Sequence, residues 1–162
     1  MWILVAGILV LATACSSASP SSSSSASNRD LVGTWRLVSY EDWTPSGERR
    51  TPYGESPIGY FVYDATGRVF INFMKSPAMS SEGFVRGVNA TLERKGAAFD
   101  AYVSYFGTYT IDREKGVVVH HVEGSLNPSY TGTDQPRPFQ LSGDTLTIGD
   151  QKTWKRVLVR VK

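Results

Sequence analysis

Tyr105-Phe106-Gly107-Thr108-Tyr109-Thr110, followed by Val117-Val118-Val119-His120-His121-Val122-Glu123-Gly124-Ser125, decides how this chain folds. Both runs are rich in β-branched and aromatic residues, which suit a pleated, half-buried surface. Between them, Asp112-Arg113-Glu114-Lys115-Gly116 is polar and ends in a turn-forming glycine. The pattern predicts a hairpin, with Gly132, Thr133 and Arg137 following at its exit. Placing Ile111 opposite Val117 sets His120 across from Thr108 and His121 across from Gly107. These are the two histidines of the chain. Adjacent side chains on a strand point to opposite faces, so one histidine turns inward and the other outward. The pair therefore cannot form a metal site from one strand, and with no third histidine no zinc set is expected.

The same alternation continues on either side. Residues 31–40, 58–63 and 68–74 read as strands, the last two joined by Asp64-Ala65-Thr66-Gly67. Residues 42–57, crowded with Pro, Gly and charge, predict a long loop over one end of the fold, of the kind that acts as a lid. Leu92, Phe99 and Tyr102 recur at helical spacing, which predicts a short helix within 89–102, capped by Asn89 or Thr91. Taking Gly143-Asp144 as a two-residue turn pairs Ser142 with Thr145, Leu141 with Leu146, Gln140 with Thr147 and Phe139 with Ile148. One step further Arg137 falls opposite Asp150 on the inward side, either as a ligand contact or as half of a rim ion pair. In the last segment, Val157, Val159 and Val161 alternate with Arg156, Leu158, Arg160 and Lys162, giving one core face and one wet face. Many short strands with one short helix indicate an all-β antiparallel barrel or sandwich.

The chain has 162 residues, one cysteine and a net charge of +2. Its charged residues all lie from Arg29 onward, so residues 29–162 are expected to form one domain, whose near balance of charge argues against a nucleic-acid partner. No phosphate-binding or dinucleotide fingerprint appears, and no cofactor is expected. The apolar run from Trp2 to Leu11 is of signal-peptide length, short of a bilayer span. Ala12-Thr13-Ala14-Cys15 after it resembles a bacterial lipobox. That resemblance implies that residues 1–14 are removed and that Cys15 becomes the acylated first residue, anchoring the protein to a membrane of the cell envelope; an ordinary cleaved signal is the alternative. In a Gram-negative cell Ser16 would favour the outer membrane. Residues 15–28, rich in serine with Ala and one Pro, are then expected to form a flexible tether.

The tyrosine strand, the valine–histidine strand and the Gly124-Ser125-x-x-Pro128 loop leading to Arg137 resemble the bacterial lipocalin-like domain family. Gly33-Thr34-Trp35 is similar to the lipocalin Gly-x-Trp signature. The resemblance implies an eight-stranded barrel in which Gly33 and Trp35 close one end and Trp35 stacks on an arginine of the final strand, Arg156 or alternatively Arg160. It also favours His120 as the inward histidine. A monomeric barrel holding a small apolar or amphipathic molecule is then expected, with Tyr60, Phe70, Tyr105, Tyr109, His120, Arg137 and Phe139 as candidate lining. Two other readings stay open: an isomerase- or cyclase-like enzyme using the inward histidine as acid and base, and a noncatalytic envelope protein whose barrel is filled by its own side chains. No nucleophile-elbow pattern surrounds Ser125, so a hydrolase is not expected.

Overall fold

Inward-facing apolar residues at every second position make one sheet curl around a common core. The computed structural model describes residues 31–81, 84 and 90–162; Cys15, the apolar run before it and the serine tether lie outside them. The strands are β1 (Gly33–Trp43), β2 (Arg49–Arg50), β3 (Ile58–Tyr63), β4 (Arg68–Met74), β5 (Tyr102–Asp112), β6 (Val117–Ser125), β7 (Asp134–Ser142), β8 (Thr145–Ile148) and β9 (Trp154–Arg160), with helix α1 (Leu92–Asp100) between β4 and β5. They pair in the order β2-β1-β3-β4-β5-β6-β7-β8-β9, and β1 also pairs with β9. That last pairing closes eight antiparallel strands into a barrel and removes the exposed edges that an open sheet would carry. Short β2 pairs with the end of β1 inside the loop that crosses the barrel mouth.

The β7–β8 register is the one that the Gly143-Asp144 turn predicts, pair for pair. Helix α1 starts at Thr91, whose side chain accepts from the Arg94 amide; Asn89 lies outside the described residues. Beyond Phe139 the forecast for Arg137 changes. Asp150 turns away and accepts from the amides of Lys152, Thr153 and Trp154, and Arg137 lies level with Val118 of β6.

Two strands differ from expectation. In the β5–β6 hairpin Asp112, not Ile111, sits opposite Val117, so His120 faces Tyr109 and His121 faces Thr108. Asp112 stays in the strand because its carboxylate receives the Lys115 amide and ammonium, tightening the turn. Between Phe106 and Gly107 the register slips again. Gly107 is required there: a Cβ would sit 2.0 Å from the His121 carbonyl oxygen. In β9 the inward face is the arginine face. Arg156 and Leu158 are buried, whereas Val157 and Val159 are only half-buried and Val161 is exposed. Charge does not keep these arginines out because each guanidinium lies on an aromatic ring, where the π-face offsets part of its desolvation.

One of those stacks closes the lower end. Arg160 lies 4.1 Å from the centre of the Trp35 ring and donates to the Val32 carbonyl at 2.7 Å. Trp35, fully buried, donates its indole N–H to Leu31 O at 2.9 Å. The partner of Trp35 is therefore Arg160, not Arg156, because register sets Trp35 opposite Arg160 and Tyr40 opposite Arg156. Gly33 explains its own place in the signature: its φ is +144°, and a Cβ would come within 2.6 Å of the Arg160 guanidinium. Leu37, Tyr63, Val69, Val118, Leu146 and Leu158 fill the space above this floor.

Candidate functional site

The opposite end of the barrel is hollow. A cavity of about 430 Å³ opens there, with Phe61, Ile71 and Ile148 at its base and Phe99, Tyr102 and Leu126 around its mouth. Tyr40 of β1, Tyr53 of the crossing loop and Phe73 of β4 make one wall, their ring centres 4.7, 4.9 and 5.3 Å apart. Tyr53 is the part of the 42–57 loop that reaches inward. Burial first, and then the neighbouring Tyr40, pushes its hydroxyl up to about 12, so it stays a neutral hydroxyl at physiological pH.

His120 is buried at the cavity wall. Its Nε2 is 2.9 Å from the Tyr63 hydroxyl and its Nδ1 is 2.9 Å from the Tyr105 hydroxyl. Desolvation, with the charge of Arg137 next, pushes its pKa down to about 3, so the imidazole is neutral. A neutral imidazole donates from one nitrogen and accepts at the other. One of the two tyrosine hydroxyls therefore donates to the ring and the other accepts from it. Burial raises the pKa of the Tyr105 hydroxyl, and the nearby charge of Arg137 partly offsets that rise.

Two guanidinium groups complete the lining. Arg156 stacks 3.1 Å from the centre of the Tyr40 ring and pairs with Asp42 at 2.8 Å. Arg137 projects from the inward face of β7 over the Trp154 ring, 5.6 Å from its centre.

Of the residues expected to line the pocket, the barrel brings Tyr105, His120 and Arg137 together around the cavity. Tyr109 and Phe139 point inward but pack into the core instead: Tyr109 sits edge-on to Tyr63 and donates to Asp64 O at 2.9 Å. Tyr60 and Phe70 lie on the outer face, 46% and 39% exposed. Their strands are phased by buried Phe61, Tyr63, Val69 and Ile71, which turns the intervening residues to solvent. Tyr40, Tyr53, Tyr130 and Trp154 join the lining without having been expected. Alternation back from Leu158 finds Trp154, but a bulge between Leu37 and Ser39 hides Tyr40 from the same count.

His121 lies on the outside, with Asp134 at 2.6 Å on Nδ1 and Thr110 at 3.0 Å on Nε2. Among the described residues no group of three His, Cys, Asp or Glu side chains is placed to hold a metal ion. A family model described as a lipocalin-like domain matches residues 32–158, from the entry to β1 through most of β9. No curated protein matches the chain at a significant level.

Proposed function

The chain belongs to the lipocalin-like domain family, and from that premise we propose that its barrel binds a small apolar or amphipathic molecule in the open-ended cavity. The observation that carries this reading is the hollow end itself: about 430 Å³ enclosed by aromatic walls with a few placed polar groups, within the size and chemistry of small-molecule sites. The same hollow disfavours a barrel filled by its own side chains. Binding is favoured over acid–base catalysis because both nitrogens of His120 are already engaged by tyrosines, leaving no lone pair aimed at a substrate. In this role His120 fixes Tyr105 and Tyr63 rather than moving a proton. The apolar run before Cys15 and the serine tether after it support a place in the cell envelope, with the barrel held near a membrane by acylated Cys15.

Titrating the purified protein with the neutral dye N-phenyl-1-naphthylamine tests the binding reading, with native mass spectrometry of the same sample to detect a co-purified molecule. Saturable uptake of one dye per chain is expected. No saturable uptake together with no added mass would sink the proposal. The anchor is tested separately: Cys15→Ser should release the protein from membranes and abolish a lipid mass on the mature chain.

A further inference from the structure

The two cavity arginines differ in what neutralises them. Arg156 has a carboxylate, Asp42, at 2.8 Å, and backbone oxygens of Glu41 and Lys155 at 2.7 and 3.1 Å. The hydrogen bonds of Arg137 to Gln135 Oε1 at 3.0 Å and Pro136 O at 3.2 Å go to neutral oxygens. Among the described residues no carboxylate pairs with it. Asp100, which borders the cavity at the exposed end of α1, makes no ion pair with it either. A half-buried cation without a counter-charge carries a desolvation cost that a matching anion would offset.

The surroundings of Arg137 suit an anion with a flat apolar body. A guanidinium has five N–H donors, and the bonds to Gln135 and Pro136 leave three for a ligand. Tyr130, whose ring centre is 5.9 Å from that of Tyr105, offers a hydroxyl with no hydrogen-bond partner among the described residues. His120 does not compete for the anion: it stays neutral, and its nitrogens are taken by tyrosine hydroxyls.

We propose that the cavity selects an organic monoanion, a carboxylic acid on an aromatic or other planar apolar body, with its carboxylate seated on Arg137. This rests on the binding reading above and adds the charge of the ligand to it. The neutralised pair at Arg156 then contacts the body of the ligand, and Arg137 sets its orientation by a two-pronged bond to the carboxylate.

A matched pair of probes tests it. Purified full-length protein is titrated at pH 7.5 by calorimetry with 2-naphthoate and with 2-naphthamide, which share a ring system and differ in charge. The acid is expected to bind at least tenfold more tightly. Arg137→Gln should bring the two to parity while the amide still binds, and Arg137→Lys should keep part of the preference because it retains the charge without the fork. Equal affinity of the native protein for acid and amide overturns the proposal, as does a preference that survives in a folded Arg137→Gln protein. Uptake of the neutral dye with neither naphthalene bound also overturns it and leaves the binding reading standing. If dye, acid and amide all fail to bind, the monoanion proposal falls, and with no co-purified mass the binding reading falls with it. The native-protein comparison needs no variant, so a misfolded substitution does not shield the proposal.

Discussion

Strand β9 sends two arginines into the barrel with Leu158 between them, and each lies on an aromatic ring of β1. At the lower end Arg160 covers Trp35, and the guanidinium, the indole N–H and the backbone oxygens of Leu31 and Val32 bond one another in a sealed floor. At the upper end Arg156 covers Tyr40, yet the space beyond is open. The same device thus gives a seal in one place and a wall in the other. What separates them is the neighbouring packing. Around Trp35, Leu37, Tyr63 and Leu158 are fully buried, whereas around Tyr40 the adjoining Tyr53 and Tyr130 stand only half-buried at the cavity edge. Stability is therefore expected to concentrate at the floor and binding at the mouth.

The largest expected effect comes from the floor. Trp35→Ala should cost about 3–5 kcal/mol, the usual loss for truncating a fully buried aromatic, read as a lower urea midpoint. A loss below about 1 kcal/mol would show that the floor is not where stability resides. Next is acid. Unfolded His120 takes a proton near pH 6.5, whereas folded His120 resists until about 3, so the unfolded state binds more protons in that window and stability falls as pH drops through it. Between pH 7 and 4 the loss attributable to this residue should be about 3 kcal/mol, and His120→Gln should flatten the pH profile. Equal acid sensitivity of the two proteins would remove His120 as the link between core and cavity. Gly33→Ala, at φ +144°, should cost about 2 kcal/mol through backbone strain without altering dye affinity, since it acts only on the floor. The smallest change in stability belongs to Arg156→Met, below about 1 kcal/mol because its partner Asp42 is partly exposed. In that variant dye affinity should shift while the urea midpoint hardly moves; the reverse pattern would mean that the two stacks do the same job.

Much of the fold was legible because alternation is local. The β3 and β4 boundaries and the β7–β8 pairing follow from turn residues and apolar phase alone. Misreadings occurred where a contact distant in sequence outweighs local character. Arginines read as wet, yet Arg156 and Arg160 are drawn inward by Tyr40 and Trp35 at the other end of the chain. Tyr60 and Phe70 read as lining because they are aromatic, but Phe61, Tyr63, Val69 and Ile71 fix the phase of their strands. The site was half legible: Tyr105, His120 and Arg137 come from adjoining strands and share one motif-rich region. Tyr63, bonded to His120 across 57 residues, has no local signal that marks it, and Tyr53 is placed by how its loop folds back onto the barrel.

The β1–β9 seam has a consequence for the order of events when the chain is made. Arg160 reaches Val32 across 128 residues, and loop-closure entropy opposes such a contact until most intervening pairings have already formed. A ribosome delivers β1 before β9, so neither the floor nor the Tyr40 wall can be assembled until β9 has emerged. Closure of the barrel is thus a late event, and its ninth strand works as a zipper pull that joins the two sides of the seam.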